Sequence, residues 1–140
     1  MNKDLLVNSS ITILQAMKAL NKSAEKCLIV VDNNQMLLGT LSDGDIRRSI
    51  LDGNNFKNSI EKSYNSSSKF LVNGKYTTQD ARQIMLSNKI DLLPILDKDK
   101  KVVDRITWNE VFSKDEVSTK NSLSIPVVVM AGGKGTRLKP

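Results

Sequence analysis

Ser42 and Asp45 stand three residues apart in the stretch GTLSDGDI, which runs from residue 39 to residue 46. A hydroxyl and a carboxylate at that spacing, just after an apolar run, admit two chemistries. The first is helix capping. In the pattern [ST]-x-x-[DEQ] the hydroxyl accepts from a backbone N–H, and the acid reaches back to the cap's own N–H. The second is nucleotide binding. A helix that starts directly on a strand end presents free N–H groups and the positive end of its dipole to an anion. Ser42 would then donate to a phosphate, and Asp45 would accept from both hydroxyls of a ribose, as the acid of a dinucleotide fold does. Gly39 and Gly44 would let a ligand approach the backbone closely.

A second cluster closes the sequence, SIPVVVMAGGKGTRLKP. Residues 125–130 form an apolar, strand-like run, and a glycine loop follows. The loop is not a P-loop, which needs four residues between its first Gly and the Gly-Lys-Ser/Thr. Nor is it the dinucleotide fingerprint, because Leu138 stands where the third Gly belongs.

Composition narrows the alternatives. The 140 residues include one cysteine and no histidine. That excludes an internal disulfide, a Ser-His-Asp triad and a His-containing zinc site. Cys27, in the run CLIVV, reads as a small buried hydrophobe. The net charge of +6 comes from scattered lysines with few aromatics, a pattern that suits a solvated surface or a nucleotide ligand better than DNA. No apolar run reaches the roughly 18 residues of a membrane span, and the N-terminus lacks a signal-peptide core. The expectation is a cytoplasmic protein without nucleic-acid or membrane partners.

The elements that would position these residues occur twice. Asp32 aligns with Asp97, and the same offset of 65 residues pairs Thr12 with Thr77, Ala16 with Ala81, Leu28 with Leu93, Ser42 with Thr107 and Asp45 with Glu110. Each copy predicts a helix, a strand, a polar turn, a strand and a helix. Ala16, Met17 and Leu20 form the apolar face of the first helix, and Ala81, Ile84 and Met85 form its counterpart. Strands are expected over 27–31, 36–41, 92–96 and 102–106, with short ones over 5–7 and 70–72 and a weak helical piece around Ile60. Helices start near Gly44 and Asn109. Capping boxes recur at Thr12 to Gln15, Ser42 to Asp45, Thr77 to Asp80 and Thr107 to Glu110. Capping alone, worth about 1 kcal/mol per site, therefore stands beside the nucleotide reading.

The strand-Gly-x-x-Ser-x-x-Asp arrangement inside a tandem repeat resembles a pair of CBS domains, or Bateman module, over about residues 4–114. The resemblance implies an α/β (α+β) fold: two strand-helix-strand-strand-helix repeats packed with pseudo-two-fold symmetry. The expected layout is repeat one over 1–58, repeat two over 59–114, a linker over 115–124 and a further segment over 125–140. It also implies a cleft between the two repeats that binds an adenosine nucleotide (AMP, ADP or ATP) and regulates an attached enzyme. Gly39, Thr40, Ser42 and Asp45 would line one site, with Ser42 on phosphate and Asp45 on ribose; Thr107 and Glu110 hold the matching positions. The second copy departs from the pattern at Asp104, in the place of Gly39, and at Glu110. Arg105 would offset the charge of Asp104, and Trp108 would either stack on a base or pack on a neighbour. Dimerisation through the second helices, at Ile46, Ile50 and Leu51, is expected from the resemblance; these side chains equally suit a core.

The string AGGKGTRLKP resembles the signature that opens the catalytic domain of sugar-phosphate nucleotidyltransferases. By that resemblance Gly132, Gly133, Gly135 and Thr136 would contact the triphosphate of an NTP and Arg137 would assist pyrophosphate departure, with Lys134 at a variable position. Backbone N–H groups and a cation suit that charge. The expectation is the regulatory part of a longer enzyme that makes an NDP-sugar with Mg²⁺. No catalytic residue, cofactor or metal lies in this stretch, and its partners are the nucleotide, its own catalytic domain and a second copy.

Overall fold

The computed structural model describes residues 5–113. Strand β1 (Leu6–Asn8) leads to helix α1 (Ile13–Ser23), strands β2 (Cys27–Val31) and β3 (Leu37–Ser42) and helix α2 (Asp43–Leu51). After a 3-10 turn at Ile60–Lys62 the order repeats as β4 (Leu71–Val72), α3 (Thr78–Asn88), β5 (Leu92–Leu96), β6 (Val102–Thr107) and α4 (Trp108–Phe112). The α/β fold of two strand-helix-strand-strand-helix repeats is the one expected, with strand ends displaced by a residue. Each repeat has a three-stranded sheet, β1-β2-β3 and β4-β5-β6. The first pair of each sheet is parallel and the second antiparallel, with a bulge at the equivalent step, Val30/Val31 and Ile95/Leu96. The middle strands β2 and β5 are buried along their whole length, which is why they read as unbroken apolar runs.

Side chains fix the turns in the same way in both copies. The Asp32 carboxylate accepts from the N–H groups of Asn34 and Met36, both at 2.8 Å. Asp97 accepts from Asp99 and Lys101 at 2.8 and 2.9 Å. These turns close through a left-handed residue, Gln35 (φ 64°) or Lys100 (φ 61°). Each turn then bonds to the other: Leu37 N–H donates to the Lys100 carbonyl at 3.4 Å, and Val102 N–H to that of Gln35 at 3.0 Å. This reciprocal pair marks the pseudo-two-fold relation of the repeats.

The larger core cluster joins Leu5, Ile13, Ala16, Leu28, Leu41, Ile46 and Ile60 of the first half to Leu92, Leu96 and Val102 of the second. A smaller one gathers Leu71, Ala81, Met85, Leu93, Ile95 and Val111. The larger cluster spans both repeats, and the smaller lies within the second. Two expectations change. The buried face of α1 is Ile13, Ala16 and Leu20, while Met17 is 39% exposed, because the helix turns the adjacent position outward. Ile46 is core at 4% exposure and Ile50 is half-buried, so of the expected dimer contact only Leu51, at 79%, faces outward. Ser59 to Asn65 pack on the first repeat: Ser59 bridges to Thr12, Ile60 N–H donates to Ile11 at 3.0 Å, and Asn65 pairs with Thr40.

Candidate functional site: two strand-to-helix clefts

Each repeat turns from its last strand into its second helix at a capping box. At Ser42 the Asp45 carboxylate accepts from the Ser42 N–H at 2.8 Å and from its hydroxyl at 2.6 Å, while the Asp45 N–H donates back to the Ser42 oxygen at 3.3 Å. The other Asp45 oxygen takes Arg48 at 2.5 Å. At Thr107 the Glu110 carboxylate accepts from the N–H at 2.7 Å and the hydroxyl at 2.9 Å, and it pairs with Arg105 at 2.8 Å. Thr12 to Gln15 and Thr77 to Asp80 form the remaining boxes. All four sequence-predicted caps are thus present at the helix starts. The Glu110 carboxylate thus has Arg105 as its charged partner.

The electrostatics follow from those contacts. Partial burial pushes the Glu110 carboxyl up, but the Thr107 N–H, the Thr107 hydroxyl and Arg105 outweigh it and hold it below the usual carboxylate value. The Thr77 N–H and hydroxyl hold Asp80 low in the same way. Burial, helped by the charges of Asp45 and Asp91, pushes the Cys27 thiol up to about 12. Cys27 is therefore an inert core thiol, as its sequence context implies.

Space above the two motifs differs. Over the second, Tyr76, Ile95, Asp104, Arg105, Ile106, Asn109 and Glu110 line an open cleft of about 580 Å³. The Nε of Arg105 is buried there and meets no partner among the described residues. Trp108 stacks on Phe112 with ring centroids 4.1 Å apart, and Arg82 lies over the same Phe112 ring; Trp108 also lines a pocket of about 140 Å³ with Lys26, Asp91 and Thr107. At Gly39 and Thr40, ahead of the first motif, the chain covers itself, while Asp45 lines a pocket of about 190 Å³. Thr40 N–H donates to the Asn65 carbonyl at 3.1 Å, and Asn65 N–H returns to Thr40 at 2.8 Å. A Cβ at Gly39 would run into the Asn65 carbonyl oxygen and stand 2.6 Å from the Tyr64 ring. Gly39 admits backbone closely, and the backbone it admits is its own. Gly44 has ordinary room, with its nearest neighbours 3.5 Å or more away.

Gly39 and Thr40 therefore lie against residues 64–65, and Asp45 lines a pocket of about 190 Å³ with Arg48, Lys62 and Ser63. Glu110 lines the cleft of about 580 Å³, while Thr107 is buried and borders a separate pocket with Asp91 and Trp108. Sequence reasoning missed Tyr64, Asn65 and Tyr76. Tyr76 directly precedes a cap that was read, so its place beside the second motif was within reach. Nothing in YN signals a pairing to a strand far earlier in the chain. Gly132, Gly133, Gly135, Thr136 and Arg137 lie outside the described residues. Among the described residues no cluster of His, Cys, Asp or Glu could hold a metal, and no helix is long and apolar enough to cross a membrane.

Residues 1–52 match the CBS domain family model. The solved structure of the CBS domain pair of MJ0100, in complex with 5′-methylthioadenosine and S-adenosyl-L-methionine, superposes with a TM-score of 0.72 at 21% identity, over 82% of this chain and 90% of that one. CBSX2 in complex with AMP gives 0.69 at 22% identity, over 80% and 87%. The fold is that of a CBS domain pair. Among curated proteins, the uncharacterized protein RP505 of Rickettsia prowazekii is 28% identical over 92 residues, or 66% of this chain. That match spans only 28% of the relative's length. The CBS reading accounts for the duplicated sheet order and for the placing of a hydroxyl and an acid at equivalent strand ends in both halves.

Proposed function

We propose that this CBS pair is a regulatory module that binds an adenosine nucleotide in its second cleft. The observation that carries the reading is the open cleft of about 580 Å³ lined by Tyr76, Arg105 and Glu110, a size in the range of small-molecule sites. Its residues suit the parts of a nucleotide. Glu110 would accept from ribose hydroxyls, the guanidinium of Arg105 would meet a phosphate, and the Tyr76 ring offers an apolar face to a base. The ligands of the similar structures, AMP for CBSX2 and 5′-methylthioadenosine with S-adenosyl-L-methionine for MJ0100, support the adenosine class.

Binding would bias an attached enzyme by differing affinity for its two states. The string AGGKGTRLKP supports a sugar-phosphate nucleotidyltransferase as that enzyme, with Mg²⁺ for its chemistry and the layout 1–58, 59–114, 115–124 and 125–140 for this stretch. A second reading is a ligand-free module that only dimerises the enzyme. The exposed apolar side chains Leu14, Leu51 and Phe56 favour it. A thermal-shift series with AMP, ADP, ATP, S-adenosylmethionine and GTP separates the two. A ligand at 100 times its dissociation constant adds roughly 2.7 kcal/mol, on the order of 10 °C for a chain of this size. The nucleotide reading predicts such a shift for an adenosine compound and its loss in Glu110→Gln, a change that keeps the capping box. No shift with any compound, together with a dimer by light scattering, would leave the dimerising reading.

A further inference from the structure

Leu5, Ile13 and Leu41 of the first repeat are fully buried. Their counterparts at the 65-residue offset are not: Phe70 is 46% exposed, Thr78 is exposed and Ile106 is half-buried. In the first repeat those three residues share a core cluster with Ile60, which comes from the chain beyond α2 and is itself fully buried. The smaller cluster has no member from beyond α4 among the described residues. Backbone bonds hold the Ile60 segment on the start of α1. Ile13 N–H donates to the Asn58 carbonyl at 2.9 Å, Leu14 N–H to that of Phe56 at 3.1 Å, and Ile60 N–H to that of Ile11 at 3.0 Å, with Ser59 paired to Thr12. Two N–H groups that the start of a helix leaves free are thereby satisfied. The matching groups on α3 belong to Thr78 and Gln79, and Tyr76 stands where Ile11 does.

The residues that seat on α1 are Lys57, Asn58, Ser59 and Ile60, and the sequence carries nearly the same string again as Lys120, Asn121, Ser122 and Leu123. The second string follows at an offset of 63 residues rather than 65, a connection two residues shorter. We propose that residues 120–123 dock on the start of α3 as residues 57–60 dock on α1. Leu123 fills the place that Ile60 fills, against Phe70 and Ile106, and the Asn121 carbonyl accepts from the Thr78 N–H. The docked string ends before the apolar run 125–130, which is left to the segment that follows. Tyr76 and Thr78 also line the cleft of about 580 Å³, so the docking fastens that following segment to the rim of the cleft. A ligand in the cleft then touches the residues that hold the connector. That last consequence rests on the nucleotide reading; the docking itself does not.

Paired cysteines test the docking on the whole chain. Thr12 and Ser59 face each other across an antiparallel bridge. Cα atoms in such a pair lie about 4.5–5.5 Å apart, within reach of a disulfide. Thr12→Cys with Ser59→Cys is therefore the positive control, and Thr77→Cys with Ser122→Cys is the test. Both pairs lose the same cap hydroxyl, and Cys27 is buried and takes no part. The expected result is a disulfide that forms in both pairs, and forms far more slowly in Thr77→Cys with Ser118→Cys. Hydrogen exchange gives a second reading. The Thr78 amide should be protected in the parent chain and exchange roughly tenfold faster in Leu123→Ser, with melting temperatures showing that the variant folds. A disulfide confined to the control pair, no preference for position 122 over 118, or a Thr78 amide that Leu123→Ser leaves unchanged overturns the proposal. A chain that cross-links at 77 and 122 but binds no AMP fails the nucleotide reading and supports the docking.

Discussion

At Ser42 and at Thr107 the backbone passes from strand to helix in the same way, with an acid three residues on accepting from the cap's N–H and hydroxyl. Against Thr40 lies the chain's own Asn65; beside Asp104 and Glu110 the described residues leave an open cleft. The contrast teaches that the motif builds a local cap in both halves and leaves the choice of what covers it to a distant segment. Among the described residues the chain covers Gly39 and Thr40, while the matching Asp104 and Arg105 line open space; the residues at the same offset from Tyr64 and Asn65 lie outside the described residues. One glycine accounts for much of this, because only a residue without a Cβ lets Asn65 pair against β3.

The largest effect that sharpens the comparison lies in the cores. Leu28 and Leu93 are equivalent and fully buried. Truncating either to alanine is expected to cost about 2–5 kcal/mol in chemical denaturation. Leu28→Ala has the larger effect, since its cluster also holds Leu92, Leu96 and Val102 of the other half. Equal losses, or separate transitions for the halves, would break the claim of a shared core.

Next in size is Gly39→Ala. Overpacking against the Asn65 backbone should cost about 1–3 kcal/mol, whereas Asp104→Ala, on an exposed position, should stay within roughly 0.5 kcal/mol. Matched melting temperatures for the two would show that Tyr64 and Asn65 are not seated on Gly39. Ser42→Ala, which removes a cap, is expected to lower stability by about 1 kcal/mol, and Asp45→Asn by less, because an amide oxygen at this third helical position can still accept from the Ser42 N–H.

The smallest effect is pH dependence in the second half. Glu110 and Asp80 are both held below their ordinary values in the folded chain. Their contribution to stability is therefore complete above the unfolded-state value near pH 4 to 4.5 and fades as pH falls through the lower folded-state value. Acid titration of Glu110→Gln should show a shallower loss of stability than the parent below about pH 4.5. An unchanged acid limb would mean that Arg105 and Thr107 do not stabilise the charged form.

Much of this architecture was legible because it is local. Strand runs such as CLIVV and LLPIL, the turn aspartates and the four capping boxes each carry their cause within a few residues. The offset of 65 residues then required the same fold twice. The side on which α1 buries its residues was less legible, since Ile13 and Met17 both fit an apolar stripe and packing alone decides between them. The cover over Gly39 was not legible. It depends on two backbone hydrogen bonds between segments far apart in sequence, and backbone bonds leave no mark in residue type.

The most direct measurement is AMP binding by calorimetry to the parent chain, Glu110→Gln and Asp45→Asn. Glu110→Gln should weaken binding by tenfold or more with little change in melting temperature, and Asp45→Asn should leave affinity within about twofold, a tenfold loss being 1.4 kcal/mol of contact free energy. Affinity lost on Asp45→Asn and kept on Glu110→Gln would contradict the assignment of the nucleotide to the second cleft.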